Sequence, residues 1–201
     1  MTQRLVLGSS SPYRRALLER LGVPFEVQVP AIDESMLEGE HPRTTAQRLA
    51  EAKARAVASR VGDGVVVIGS DQVAASGKIR LEKPGDARTA VEQLLSIRGL
   101  TVQFFTAVHV LESGSGRTLG SHCDETRVVM RSDLTEQMLQ RYVALDRPFD
   151  CAGSARIESL GIALLERCDS TDPTALIGLP MVVLSRILRE SGIDPLASRP
   201  S

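Results

Sequence analysis

The chain has 201 residues, 42% hydrophobic and 24% charged, with a formal net charge of −1. That balance excludes a disordered or collagen-like polymer, and the lack of a basic excess counts against a general nucleic-acid binder. At this length roughly 70% of the unfolded surface can be buried, so the fold needs no disulfide or metal staple.

Gln3–Leu7 is a short apolar run that stops at Gly8-Ser9-Ser10-Ser11-Pro12, and it reads as a buried strand. Pro12 suits the first position of a helix with Ser11 as N-cap and Ala16, Leu17, Leu18 and Leu21 on its apolar face; Gly22 ends it. Phe25–Val29 reads as a second strand and Pro30 to His41 as an acidic loop. Thr44 or Thr45 is the expected cap of a long helix, closed by Gly62-Asp63-Gly64. Val65–Ile68 is the most apolar strand and runs into Gly69-Ser70-Asp71-Gln72. A loop around Gly77 and Pro84 leads to a helix over Ala87–Ile97. Val102–Leu111 and Thr118–Met130 flank Ser113-Gly114-Ser115-Gly116, a hairpin signal. Leu134–Leu145 reads as helix, Ile162–Glu166 as strand and Met181–Ser191 as a last helix. The order predicts an α/β domain over residues 1–194 with a mixed sheet, followed by a loose tail over 195–201.

No run of 18 apolar residues is present, and the polar start Met1-Thr2-Gln3-Arg4 is followed by too short an apolar stretch for a signal peptide. Cys123, Cys151 and Cys168 make no CxxC pair, which fits small buried hydrophobes in a reducing cytoplasm. No partner membrane is expected, and His41, His109 and His122 are too scattered to spell a zinc site.

Several segments could carry chemistry. Gly8-Ser9-Ser10-Ser11-Pro12-Tyr13-Arg14-Arg15 joins a strand to a helix N-terminus, which presents free N–H groups, hydroxyls and the positive dipole end to a phosphate. Two arginines in that first turn oppose the dipole unless an anion is present; the alternative is a capped helix with solvent-facing arginines. Asp71 beyond a strand could hold a divalent ion or orient a water, or else cap a turn. Asp33-Glu34 is a carboxylate pair or a solvated loop. Only Lys53, Lys78 and Lys83 are lysines among 24 basic residues; Lys53 and Lys83 are candidates for point charges on phosphate, and Lys78 reads as surface.

Taken together, Ser9-Ser10-Ser11-Pro12 with Arg14-Arg15, Asp33-Glu34, Glu51-Ala52-Lys53-Ala54, Gly69-Ser70-Asp71-Gln72, Lys83-Pro84, Cys151-Ala152-Gly153-Ser154 and Ile177-Gly178-Leu179-Pro180 resemble, in order, the Maf family of nucleoside triphosphate pyrophosphatases. The resemblance implies an elongated mixed sheet with flanking helices and two lobes around a nucleotide cleft, as in inosine triphosphatases, often as a homodimer. It implies cleavage between the α and β phosphates with a divalent cation, Mg²⁺ or Mn²⁺. Carried onto this chain, Asp71 is the general base and, with Glu34, a holder of the metal. Ser9, Arg14, Arg15, Lys53 and Lys83 meet the phosphates. Glu82 stands where the family usually has glycine before the Lys-Pro pair.

Tyr13, Gln72 and Glu158 stand where relatives acting on dTTP and UTP carry Arg, Thr and Gln, and this combination resembles the subgroup acting on 7-methyl-GTP. N7-methylation makes guanine cationic, which suits an aromatic face and a carboxylate. Removal of such nucleotides would keep them out of nucleic acids. The rival readings are a dTTP/UTP pyrophosphatase and a non-catalytic nucleotide-binding regulator of cell division, a role with which the family is also associated.

Overall fold

A computed structural model describes residues 3–197. The chain forms two compact units, neither of them a single stretch of sequence. The first takes the chain up to Asp71, Thr106–Cys123 and the segment from Asp172 onward; the second takes Gln72–Phe105 and Asp124–Thr171.

Strand β1 (Leu5–Gly8) is buried throughout, and α1 (Pro12–Glu19) follows it, with the Ser11 hydroxyl accepting from the Arg14 amide at 3.3 Å. β2 keeps only Glu26–Val27 of the expected Phe25–Val29, because Pro24 and Pro30 bracket it and both its residues are exposed. α2 (Pro42–Ala58) begins before the threonines: Pro42 takes the first helical position and His41 is the cap, its Nδ1 accepting from the Arg43 amide at 3.2 Å. Thr45 instead bonds the Glu40 carboxylate at 2.9 Å.

β3 (Val66–Ser76) corrects a larger expectation, since the strand does not stop at Ile68 but runs through Gly69-Ser70-Asp71-Gln72. Val73, Ala74 and Ala75 are buried, and Ala74 to Ser76 pair antiparallel with β4 (Ile79–Leu81) across a tight turn at Gly77. The sequence predicts a loop there, and the structure replaces part of it with this pairing. α3 (Ala87–Ile97) is capped by Asp86, and β5 (Thr101–Glu112) and β6 (Thr118–Met130) form the expected hairpin. α4 (Glu136–Asp146) ends on Arg147 in the left-handed region. Leu160–Leu164 is a 3-10 turn, so β7 is Leu165–Asp169 rather than Ile162–Glu166. The Gly161 amide bonds Arg156 O at 2.9 Å, which curls the chain where a strand was expected. α5 (Met181–Glu190) closes the described fold.

The strand order is β2-β1-β3-β5-β6-β7 with β4 on β3. β1 is parallel to β2 and β3, whereas β3/β4 and β6/β7 are antiparallel, so the sheet is mixed. In the first unit Leu5 and Leu7 pack with Leu17, Leu18, Leu184 and Leu188, while Val6 packs with Ala54 and Val57. Helices therefore cover both faces of β1, as its continuous apolar run requires. In the second unit α3 and α4 pack against each other. The expected loose tail falls partly on 198–201, outside the described residues; the Leu196 and Ala197 amides bond back to Asp194.

Among the described residues no helix is long and apolar enough to cross a membrane.

Candidate active site

The site of the first unit is built where β1 ends. Gly8 pairs with Gly69, so Ser70 and Asp71 project past the end of β1 while β3 continues. Gly69 sets the depth of the site. A Cβ there would lie 2.5 Å from the Ala54 backbone nitrogen, and closer still to Ala50 O, so only glycine lets β3 press against α2. That close approach lets Lys53, in the middle of α2, reach Asp71. Gly69→Ala is expected to cost about 1–3 kcal/mol through overpacking; chemical denaturation at unchanged stability would refute the contact.

The Lys53 ammonium is buried and donates to two carboxylates, to Asp71 Oδ1 at 2.7 Å and to Glu34 Oε2 at 2.9 Å. Arg14 stands beside them, held by the backbone. Its Nε donates to Gly178 O at 2.8 Å and its Nη1 to Ser70 O at 2.9 Å, while the Ser70 hydroxyl also donates to Gly178 O at 3.2 Å. Burial lowers the Arg14 pKa from its usual value, and the nearby charges of Asp71 and Glu34 pull it back up. The Gly178 turn is itself fixed: buried Asp172 accepts from the Thr174 amide at 2.8 Å and the Val182 amide at 2.7 Å.

Glu34 comes from the acidic loop, which has its own supports. Asp33 accepts from the Ser35 amide at 2.8 Å, and hydrogen bonds from Ser35 hold the Asp33 carboxyl below its usual range. Glu40 accepts from Arg48 Nε and Nη2, both at 2.7 Å, and Arg48 reaches Ser35 O at 3.1 Å. The Arg48 bonds above all, with Thr45 helping against burial, hold the Glu40 carboxyl down to about 2. Because the folded pKa is depressed, this clip is fully present above the ordinary value of 4.5 and is lost as pH falls toward about 2. Hydrogen exchange of residues 35–41 should rise through that window, and Glu40→Gln should show fast exchange at neutral pH. An unchanged exchange profile in the variant would remove the clip from the account.

Of the sequence-predicted residues, Arg14, Glu34, Lys53 and Asp71 are thus brought together. Ser9 is buried at the turn before α1, its hydroxyl accepting from the Ser11 amide at 3.1 Å. Tyr13 is half-buried on α1. Arg15 is not drawn in: it is exposed and pairs with Glu19 one turn on, at 2.9 Å. Sequence reasoning missed Ser70 and the Gly178 carbonyl as holders of Arg14, although both lie in segments that carry the family resemblance. It also missed the Glu40–Arg48 clip, whose only trace was an arginine eight residues after an acid.

In the second unit, Gln72 is half-buried on β3 and Lys83 is exposed after β4. Glu82, at the usual glycine position, pairs with Arg80 at 3.0 Å and faces solvent. Glu158 sits on a loop that α4 holds on both sides. The Arg156 amide donates to the Tyr142 hydroxyl at 2.9 Å, and the Ser159 hydroxyl donates to Asp146 Oδ1 at 2.6 Å. The Glu158 side chain is 26% exposed, with Arg156 Nε 3.9 Å away. Burial raises the Glu158 pKa, Asp146 and Asp150 push the same way, and its own backbone N–H and Arg156 oppose them.

Among the described residues no group of three or more His, Cys, Asp or Glu side chains is placed to hold a metal ion. Asp71 and Glu34 nevertheless form a pair of carboxylates already sharing one cation. Mg²⁺ is commonly held by one or two carboxylates and completed by substrate phosphates and water, so the donor set fits an ion of that kind.

In this mixed α/β protein the buried Lys53 and the half-buried Arg14 stand beside the Asp71–Glu34 carboxylate pair. Residues 4–191 match the Maf family, described as Maf-like protein, and the chain belongs to that family. A protein named 7-methyl-GTP pyrophosphatase from Paraburkholderia xenovorans (strain LB400) is 52% identical over 98% of this chain and 96% of its own. Proteins of the same name from Cupriavidus pinatubonensis (50% identical, 94% of each chain) and Polaromonas sp. (51% identical, 97% of this chain and 88% of its own) are similarly alike.

Proposed function

We propose that the chain is a nucleoside triphosphate pyrophosphatase that hydrolyses 7-methyl-GTP to 7-methyl-GMP and pyrophosphate. The observation that carries the hydrolase reading is the Lys53 ammonium shared by Asp71 and Glu34 beside a backbone-locked Arg14. Two neighbouring cations, Arg14 and Lys53, suit the triphosphate, and a carboxylate beside them supplies the base. Asp71 takes a proton from the water that attacks the α-phosphorus, and the α–β bridging oxygen leaves with pyrophosphate. Arg14, Lys53, Lys83 and Ser9 hold the phosphates, with Arg15 at the edge. Asp71 and Glu34 would hold the divalent ion, which when bound supplies charge neutralisation to the phosphate oxygens. Catalysis of this kind is mostly positioning and electrostatics, which is what this residue set can provide.

The preference for a methylated base rests on Tyr13, Gln72 and Glu158, and the name shared by relatives about 50% identical supports it. A cationic ring gains from the Tyr13 face and the Glu158 carboxylate, and an arginine in place of Tyr13 would repel it. The test is a nucleotide panel read by pyrophosphate release. We expect 7-methyl-GTP to exceed GTP, dTTP and UTP. If dTTP or UTP is best, the methylated-base assignment fails and the pyrophosphatase reading stays. If no nucleotide yields pyrophosphate, the non-catalytic regulator is the better reading.

Two further outcomes follow from Glu158. Glu158→Gln exchanges a charged acceptor for a neutral one and should cut the 7-methyl-GTP to GTP ratio about tenfold. Because burial raises the Glu158 pKa, the carboxylate is lost at a higher pH than for an ordinary glutamate. The ratio should therefore fall as pH drops through that raised pKa in the wild type and stay flat in Glu158→Gln. Parallel pH curves would exclude Glu158 from base selection.

A further inference from the structure

Resting on the pyrophosphatase reading, we infer that Lys53 is a resident stand-in for the divalent ion, occupying its seat until a nucleotide draws it away. The ammonium lies within hydrogen-bond distance of both Asp71 Oδ1, at 2.7 Å, and Glu34 Oε2, at 2.9 Å. Two carboxylates converging on one point form a seat for a cation, and here the seat is filled by a side chain only 7% exposed. A divalent ion entering the same seat meets a positive charge in contact with its own ligands, and on the buried Asp71 side that repulsion is weakly screened.

Lys53 is also the cation of the cluster that can leave. Arg14 is tied to two backbone carbonyls, Gly178 O and Ser70 O, and Arg48 is tied to Glu40 and Ser35 O. Among the described residues, the Lys53 ammonium bonds the two carboxylates and no backbone carbonyl. Its four-carbon stem can swing Nζ by several ångströms while its backbone stays in α2. A triphosphate supplies oxygens that compete for the ammonium, so its arrival hands Lys53 to phosphate and leaves Asp71 and Glu34 to the metal. Glu34, with its side chain 56% exposed, is the side from which the ion enters. The order of addition follows: nucleotide comes before metal, or the two arrive together, and metal does not bind tightly first.

The test is Mn²⁺ binding to the full chain without nucleotide, read by electron paramagnetic resonance of the free ion, with no turnover involved. Lys53→Met removes the charge and keeps the length of the stem, and it should bind Mn²⁺ at least about tenfold more tightly than the wild type. Adding Asp71→Asn to Lys53→Met should abolish the gain. A rise in melting temperature with Mn²⁺, confined to Lys53→Met, is the accompanying readout. If Lys53→Met fails a circular-dichroism check, Lys53→Gln carries the same comparison. Wild type binding Mn²⁺ as tightly as the Lys53 variant would overturn the inference, as would a Lys53 variant with no new site. Neither result depends on which nucleotide is hydrolysed, so this inference and the substrate reading fail separately.

Discussion

Asp71→Asn is expected to lower turnover by about 10²-fold or more while leaving the fold in place. The two side chains have the same shape, and the amide oxygen can still accept from Lys53, which also keeps Glu34 at 2.9 Å. The buried ammonium is therefore not orphaned, the circumstance that makes loss of one partner of a buried pair so costly. What disappears is the negative charge and the ability to take a proton. Both belong to the reaction and neither belongs to the packing of β3 against α2. Far-UV circular dichroism and the denaturation midpoint should stay close to wild type while pyrophosphate release collapses. Near-normal release would remove Asp71 from the base role. A collapse of both would mean that its pairing with Lys53 is chiefly structural.

Where local chemistry decides an element, the sequence was readable. Ser11-Pro12 before α1 gives a helix start that the structure reproduces, the helix over Ala87–Ile97 keeps its expected bounds, and the Ser113–Gly116 turn gives the hairpin. The largest difference, at β3, has one cause: a polar stretch that reads as the end of a strand is satisfied by distant partners. Ser70 and Asp71 look like a turn until Gly178 O and Lys53 are brought to them, whereupon they remain strand. β4 is three residues long and carries Arg80, so it owes its existence to pairing with Ala74–Ser76. At the site, the residue types were legible and their partners were not. Glu19 four residues on is a local partner for Arg15, but nothing local shows that Arg14 is locked by backbone carbonyls. That lock depends on Gly178, 164 residues away in sequence.

Arg14→Ala should reduce kcat/KM for the preferred nucleotide by roughly 10- to 100-fold, the range of one charge-assisted contact of about 1.5–3 kcal/mol. Of the five N–H donors of a guanidinium, two go to Gly178 O and Ser70 O, which fixes the plane of the fork before any ligand arrives. An arginine aimed in this way loses little freedom when an anion binds, so its contact is made at small entropic cost. Arg14→Lys tests that geometry. A lysine ammonium keeps the charge but cannot bond both carbonyls in the arginine's plane and still present a donor to phosphate, so it should recover only a small part of the loss. Arg15→Ala should lose far less, because its partner Glu19 lies at the surface. Lys78→Ala, at the exposed turn between β3 and β4, should leave the rate unchanged. Full recovery in Arg14→Lys would reduce Arg14 to a simple charge and make its backbone lock irrelevant to the reaction. Recovery in kcat alone, with KM still raised, would show instead that the fork serves ground-state binding of the phosphates.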